Sequence, residues 1–223
     1  MSSRILFKLT TRGRPDKARK AIHNILDNVL DSNFLILVTC DVNDGTMNEF
    51  YFPHQKVLIH HGNSNNKVHA FNRSIHLIKD WDILVATSDD MQFQTRGFDN
   101  VIRESCVTEV CSMNWYGHLV HFNDGNQKSN VCTLSIIGRG YYDLDKYVYN
   151  PEYESLWCDV EATEVAKERG NYKYMGDDLV IFRHLHPAWG LAPYDEQYQI
   201  QDSPQQSVKD KATYERRKAN GFR

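Results

Sequence analysis

An α/β domain with helices flanking a central sheet is the fold class the sequence predicts, and two observations carry it. Short apolar runs recur along the chain with helical or polar stretches between them, without internal repeats or low-complexity tracts. In addition, 223 residues with 41% hydrophobic content suffice for one large core. The strand-like runs fall at residues 5–9, 34–39, 56–60, 83–88, 107–112, 131–137 and 179–183.

Taken in order, the first run leads into "TTRGRP". Pro15 suits a first helical turn, Asp16 follows it, and Ala18, Ala21, Ile22, Ile25 and Val29 recur at helical spacing. A helix over residues 15–30, packed on the sheet, is expected. The second run ends in "TCDVNDGT". The third gives way to "HHGNSNNKVHAFNRSI", where Lys67 and Asn72 flank a helix start after a glycine-bearing polar loop. The fourth, within "WDILVATSDDMQF", ends on Asp89 and Asp90. A later helix is expected over residues 159–169, stopped by Gly170. From Pro187 the composition turns polar, so residues 1–190 read as the domain. Residues 191–223 read as an extended wrap followed by a charged terminal helix.

A net charge of −3 gives the whole chain no attraction for nucleic acid or anionic lipid. The tail is locally basic, with Lys209, Lys211, Arg216, Arg217, Lys218 and Arg223 against Asp210 and Glu215. A solvated helix docked on the domain explains this, and phosphate contact with a polyanion such as DNA is the sharper alternative. Without a long apolar run or a signal-like N-terminus, no membrane span is expected and the location expected is cytoplasmic. The five cysteines are scattered without a C-x-x-C pair, as expected of reduced core residues.

Open α/β sheets bind ligands at the carboxyl ends of their strands, and "TTRGRP", "TCDVNDGT" and "SDD" all fall there. The phosphate-cradling loop G-x-x-x-x-G-K-[ST] is absent, and Gly138 and Gly140 lack the third glycine of G-x-G-x-x-G. A nucleoside diphosphate held here needs another neutralising device, and a divalent cation on carboxylates would serve. Lys67 and Asn72 could face phosphate and ribose. His184 and His186 share one strand face by period-two spacing, so either could reach a cation, although a strand histidine is more often structural. Asp159 is equally explained as a helix N-terminal carboxylate stabilised by about 0.3–1 kcal/mol. Trp115, Tyr116, Tyr141 and Tyr142 are either core aromatics or stacking faces for an acceptor.

In combination these segments resemble GT-A fold glycosyltransferases of the broad family-2 group. "LTTRGRPDKARKAIHNIL" is similar to that family's first strand and helix bordering the nucleoside pocket, and "FLILVTCDVNDGT" to its second strand. "GNSNNKVHAFNRSI" resembles its Gly-x-x-x-x-Lys-x-x-Ala-x-Asn segment, and "LVATSDD" its D-x-D-type metal motif with Ser88 replacing the first Asp. "WCDVEATEVAKERG" resembles its Glu-Asp-x-Asp helix start, with Cys158 replacing the Glu. "LVIFRHLHPAWG" looks like a late strand ending in a metal-ligating histidine. The likeness spans residues 4–190 and extends to stand-alone phage-encoded transferases.

This resemblance implies one GT-A domain with a mixed, mostly parallel sheet, its nucleotide-sugar half at residues 1–92 and its acceptor half at 93–190. It implies a nucleotide-diphosphate sugar donor, a UDP-sugar favoured, bordered by Thr10, Thr11, Arg12, Arg14, Asp41, Lys67, Asn72, Ser88 and Asp89. Mn²⁺ or Mg²⁺ would sit on Asp90 with His184 or His186. Asp159 would be the base of an inverting displacement, with Trp115, Tyr116, Tyr142, Trp157 and Glu161 toward the acceptor. That acceptor would be a saccharide or a hydroxymethylated DNA base. A nucleotidyltransferase acting on sugar phosphates and a non-catalytic nucleotide-sugar-binding module are the alternatives.

Overall fold

The computed structural model describes residues 2–110 and 113–223, with the side chains of 108–115 outside that description. Its elements are Ile5–Thr10 (β1), Pro15–Asn28 (α1), Phe34–Asp41 (β2), Val57–Gly62 (β3), Lys67–Asn72 (α2), Ile83–Ser88 (β4) and Met91–Phe93 (β5). Phe98–Cys106 (α3), Thr108–Val110 (β6), Met113–Trp115 (β7), Leu119–His121 (β8), Ser135–Gly138 (β9) and Arg139–Asp145 (α4) follow. The chain continues through Cys158–Glu168 (α5), Tyr172–Tyr174 (β10), Phe182–His184 (β11), Glu196–Gln201 (α6) and Pro204–Ala219 (α7).

A seven-stranded sheet in the order β10-β8-β9-β4-β1-β2-β3 forms the centre. β1 pairs in parallel with β2 and β4, β2 with β3, and β8 with β10, while β9 runs antiparallel to β4 and β8. The sheet is thus mixed and mostly parallel, as expected. All six residues of β1 are buried, because helices cover both faces. Ile5, Phe7 and Leu9 meet α1 and α3 in one core, where Phe7 packs edge-on against Phe34, Phe93 and Phe98. Leu6, Leu37 and Leu84 meet Val68, Phe71 and Tyr142 on the other face. Lys8 also points there: fully buried, its ammonium donates to Thr39 Oγ1 and, at 2.7 Å, to the Ala70 carbonyl, which ties α2 to the sheet.

Some expected elements differ. α1 ends at Asn28, where Val29 turns extended. Within the run at 107–112, Thr108–Val110 pairs with β7 in a separate two-stranded sheet and not in the main sheet. Of the run at 131–137 only the end is strand, because the Cys132 N–H is taken by Thr163 Oγ1 and not by a ladder partner. The run at 179–183 becomes β11 at 182–184, paired with β5. No helix among the described residues is long and apolar enough to cross a membrane. Cys40, Cys106, Cys132 and Cys158 are free thiols in the interior.

β9 closes on Gly138, where the chain passes against the backbone at Tyr116. A Cβ at this position would lie 2.1 Å from the Tyr116 carbonyl oxygen. Gly138→Ala is therefore expected to cost at least about 1–3 kcal/mol, as overpacking against backbone does. Urea denaturation measures it, and an unchanged midpoint would show that the two segments can separate freely.

Candidate active site

Parallel pairing decides where the polar strand ends meet. Thr10 stands opposite Thr39 on one side and Ser88 on the other, so the turns after β1, β2 and β4 open side by side. Between them lies a cavity of about 410 Å³ lined by Thr10, Thr11, Arg12, Arg14, Asp41, Ser88, Asp89, Asp90 and Lys67, among others. Asn66 caps α2 by accepting from the His69 N–H at 2.7 Å, which starts that helix with Lys67 on the cavity.

The two adjacent carboxylates after β4 divide their partners. Asp89 accepts from Thr11 Oγ1 at 2.7 Å and from Arg14 at 3.2 Å. Asp90 accepts from Ser88 Oγ, from the Tyr198 hydroxyl at 2.8 Å and from His184 Nε2 at 3.3 Å. Burial and the Asp90 charge push the Asp89 carboxyl upward. Burial opposes ionisation of Asp90 too, but the His184 and Ser88 hydrogen bonds and the nearby Lys67 charge hold its carboxyl far below the ordinary range. The β5–β11 ladder is what brings His184 here, pairing it with Met91 directly after the acidic turn.

His184 and His186 have different surroundings. His186 Nε2 lies 3.0 Å from Asp202 and its Nδ1 accepts from the Ala188 N–H, so it serves the chain that follows it. Among the described residues His184 has a buried Nδ1 without a hydrogen-bond partner, and its Nε2 lies beside Asp90. A carboxylate with one imidazole suits Mn²⁺ or Mg²⁺ only if other oxygens complete the shell. Among the described residues no cluster of three or more His, Cys, Asp or Glu forms a cage, so those oxygens would come from hydroxyl, amide or carbonyl groups, a ligand or water.

Of the basic side chains in the cavity wall, Arg12 pairs with Asp41 at 2.7 Å, while Arg14 pairs with Asp89 and Asp195. Lys67 makes no hydrogen bond or ion pair among the described residues, yet its charge is felt at Asp90 and Asp159. Asp159 stands half-buried in the first turn of α5 and accepts from the Val160 N–H at 2.9 Å. Burial raises its pKa, with Lys67 opposing. It does not line the cavity itself.

Other expected site residues lie elsewhere. Asn72 does not reach the cavity: its amide donates to the Tyr149 carbonyl at 2.6 Å and accepts from the Val148 N–H at 2.9 Å, pinning that loop. Glu161 points into the core, where it accepts from the Tyr153 hydroxyl at 2.7 Å and from Arg217 Nε at 2.9 Å. Tyr142 is buried edge-on against Trp81, and Tyr141 lies in the same core. Tyr116 packs on the other core and bonds Ser3 through its hydroxyl. Trp157 lies against Tyr214 at 5.2 Å. The Trp115 side chain is outside the described residues. Among the described members of this set none lines the cavity.

The C-terminal stretch supplies part of the site instead. Gln197, Ile200, Gln201 and Gln206 line the cavity, and Asp195, which caps α6, bonds Arg14 and Lys17. The Arg14 guanidinium lies 4.1 Å over the Tyr198 ring. Expected as a polar wrap and helix, the extension closes one wall. Most of its basic residues pair with carboxylates: Lys209 with Glu154, Arg216 with Glu152, Arg217 with Glu152 and Glu161, and Lys218 with Glu164 of the domain, and Lys211 with Glu215 of the same helix.

No protein-family model matches the sequence, and no curated protein is similar to it at the sequence level. Solved structures are similar in fold. A mannosyltransferase, PcManGT from Pyrobaculum calidifontis in complex with GDP-Man and Mn²⁺, superposes with a TM-score of 0.64 at 13% identity. The match covers 85% of this chain and 60% of that one. TarS residues 1–349 from S. aureus, in complex with UDP-GlcNAc, gives 0.59 at 12% identity, covering 81% of this chain and 58% of that one. The chain thus spans about 60% of the length of these two structures. The fold is the GT-A fold.

Proposed function

We propose that this chain transfers a glycosyl group from a nucleoside-diphosphate sugar to an acceptor hydroxyl. The observation that carries the reading is the unpaired Lys67 ammonium in the same strand-end cavity as the Asp90 carboxylate, with His184 beside Asp90. That cavity offers positive charge for a diphosphate, and Asp90 with His184 beside it would supply two ligands to a divalent cation. The complexes of the similar structures with GDP-Man and UDP-GlcNAc support the donor class, and the Mn²⁺ in one of them supports a divalent ion.

Asp90 and His184 would hold Mn²⁺ or Mg²⁺. When bound, such an ion offsets the charge that develops on the leaving diphosphate. Lys67 adds to that compensation as the bond from sugar to phosphate breaks. Asp159 takes the proton of the acceptor hydroxyl while its oxygen attacks the anomeric carbon from the face opposite the diphosphate, an inverting displacement. The raised pKa of Asp159 makes it a better proton acceptor than an ordinary exposed aspartate. The acceptor is read as a saccharide more readily than DNA, because four basic residues of the tail, Lys209, Arg216, Arg217 and Lys218, already pair with the domain's own carboxylates.

A thermal-shift panel of UDP- and GDP-sugars, with and without Mn²⁺, tests this on the wild-type protein and on Asp90→Ala. A ligand at hundredfold excess over its Kd adds about 2.7 kcal/mol, which for a domain of this size is a rise of roughly 5–10 °C. The rise should require both Mn²⁺ and Asp90. Stabilisation that survives Asp90→Ala would remove the cation site, and no stabilisation by any sugar nucleotide would sink the donor assignment. Release of a nucleoside diphosphate and not pyrophosphate separates glycosyl transfer from nucleotidyl transfer.

A further inference from the structure

Asp210, in the middle of α7, is completely buried and has no ion-pair partner among the described residues. Its oxygens accept from three consecutive backbone N–H groups, those of Glu154 at 3.0 Å, Ser155 at 2.9 Å and Leu156 at 2.8 Å. Gln206 Nε2 donates a fourth bond at 2.9 Å. Successive N–H groups converging on one point form an anion nest, and here the protein's own carboxylate fills it.

The gathered segment touches the site in three ways. Glu154 and Ser155 line the cavity. The Glu154 carbonyl accepts from the Val68 N–H at 3.1 Å, one residue from Lys67 at the start of α2. Immediately after the segment, Trp157 adopts a left-handed φ of 64° and launches α5, whose first turn carries Asp159. A tryptophan keeps that conformation only where its surroundings over-determine it.

We propose that Asp210 is a positioning residue. By gathering residues 154–156 it sets the cavity wall, the start of α2 with Lys67 and the launch of α5 with Asp159 in one arrangement. The terminal helix is then part of the apparatus that binds the nucleotide. The inference rests on the nucleotide-sugar reading of the cavity. Two acceptor oxygens, and not shape alone, are what the segment needs, since three N–H groups require acceptors and an asparagine would turn a donor toward at least one of them.

Isothermal titration of UDP and of GDP in the presence of Mn²⁺ tests it on the wild-type protein, Asp210→Asn and Tyr214→Phe, each well below its own Tm. Tyr214→Phe removes the 2.7 Å bond from α7 to Glu164 of α5 and leaves the 154–156 segment alone. Whichever nucleotide the wild type binds should bind Asp210→Asn at least tenfold more weakly and Tyr214→Phe within twofold. Equal affinity for wild type and Asp210→Asn overturns the inference, as does equal weakening in Tyr214→Phe, which would mean general loosening of the helix. If Asp210→Asn does not fold, amide exchange on the wild type decides. Nucleotide should slow exchange at residues 155–156 together with 67–68, and no slowing at 155–156 overturns the proposal. Wild-type protein that binds neither nucleotide overturns the proposed function, and this inference with it, before any variant is compared.

Discussion

Asp159→Asn is expected to leave sugar-nucleotide binding within about twofold of wild type while lowering turnover by roughly 10²–10⁴, the range a positioned general base contributes. Asp159 stands outside the cavity wall, so the donor loses no contact. Its shape and its Val160 N–H bond at 2.9 Å can survive in asparagine, and only the capacity to take a proton disappears. Steady-state kinetics separates the effects: kcat should fall and the donor Kd should not. The pH profile gives an independent reading. A base works when deprotonated, so the rate falls as pH drops through its pKa. Burial raises that pKa, so the acid limb should lie above the ordinary aspartate range. An Asn variant with wild-type turnover, or one losing binding and turnover in step, would place the base elsewhere.

Arg217→Met should destabilise the fold by about 3–5 kcal/mol, the cost of leaving one member of a buried ion pair without its partner. Arg217 and Glu161 side chains are only 5% and 4% exposed, and they meet through Nε at 2.9 Å and Nη2 at 3.1 Å. With the guanidinium gone, Glu161 would keep only the Tyr153 hydroxyl at 2.7 Å. The bond from Arg217 to half-exposed Glu152 adds little by comparison. Urea denaturation of Arg217→Met, Glu161→Gln and the double variant forms a thermodynamic cycle. The double variant should recover much of the loss, because no uncompensated charge stays inside. A loss below about 1 kcal/mol for Arg217→Met would show that Glu161 reaches water or another donor.

The parts of the fold legible in the sequence are those whose apolar pattern is long. β1, β2 and β4 carry six to eight residues each and stand out, whereas β8 and β10 have three apiece and rely on neighbours to be strands at all. Cavity-lining residues are legible for a related reason, since Thr11, Asp41, Lys67 and Asp90 sit in or beside turns where local sequence determines local structure. Glu161 and Tyr142 were not, because side-chain direction around a helix is decided by tertiary partners, here Arg217 and Trp81. The same holds for Asn72, whose amide satisfies a loop 77 residues away. Tyr198, Asp195 and Asp210 carried no local sign of a role. Their partners Asp90, Arg14 and the 154–156 backbone lie far off in sequence, and a polar segment reads as solvated until something is known to receive it.

The 108-residue interval between Asp90 and Tyr198 also bears on how the site comes into being. All strands of the central sheet precede residue 175, so a nascent chain can assemble the sheet and its acidic turn before α6 and α7 exist. Until then Asp90 would have Ser88 and His184 but not the Tyr198 hydroxyl, and Glu161 would lack the Arg217 guanidinium. The cavity wall would therefore be completed in one late step, when the last helices dock, and not grow gradually with the length of chain synthesised.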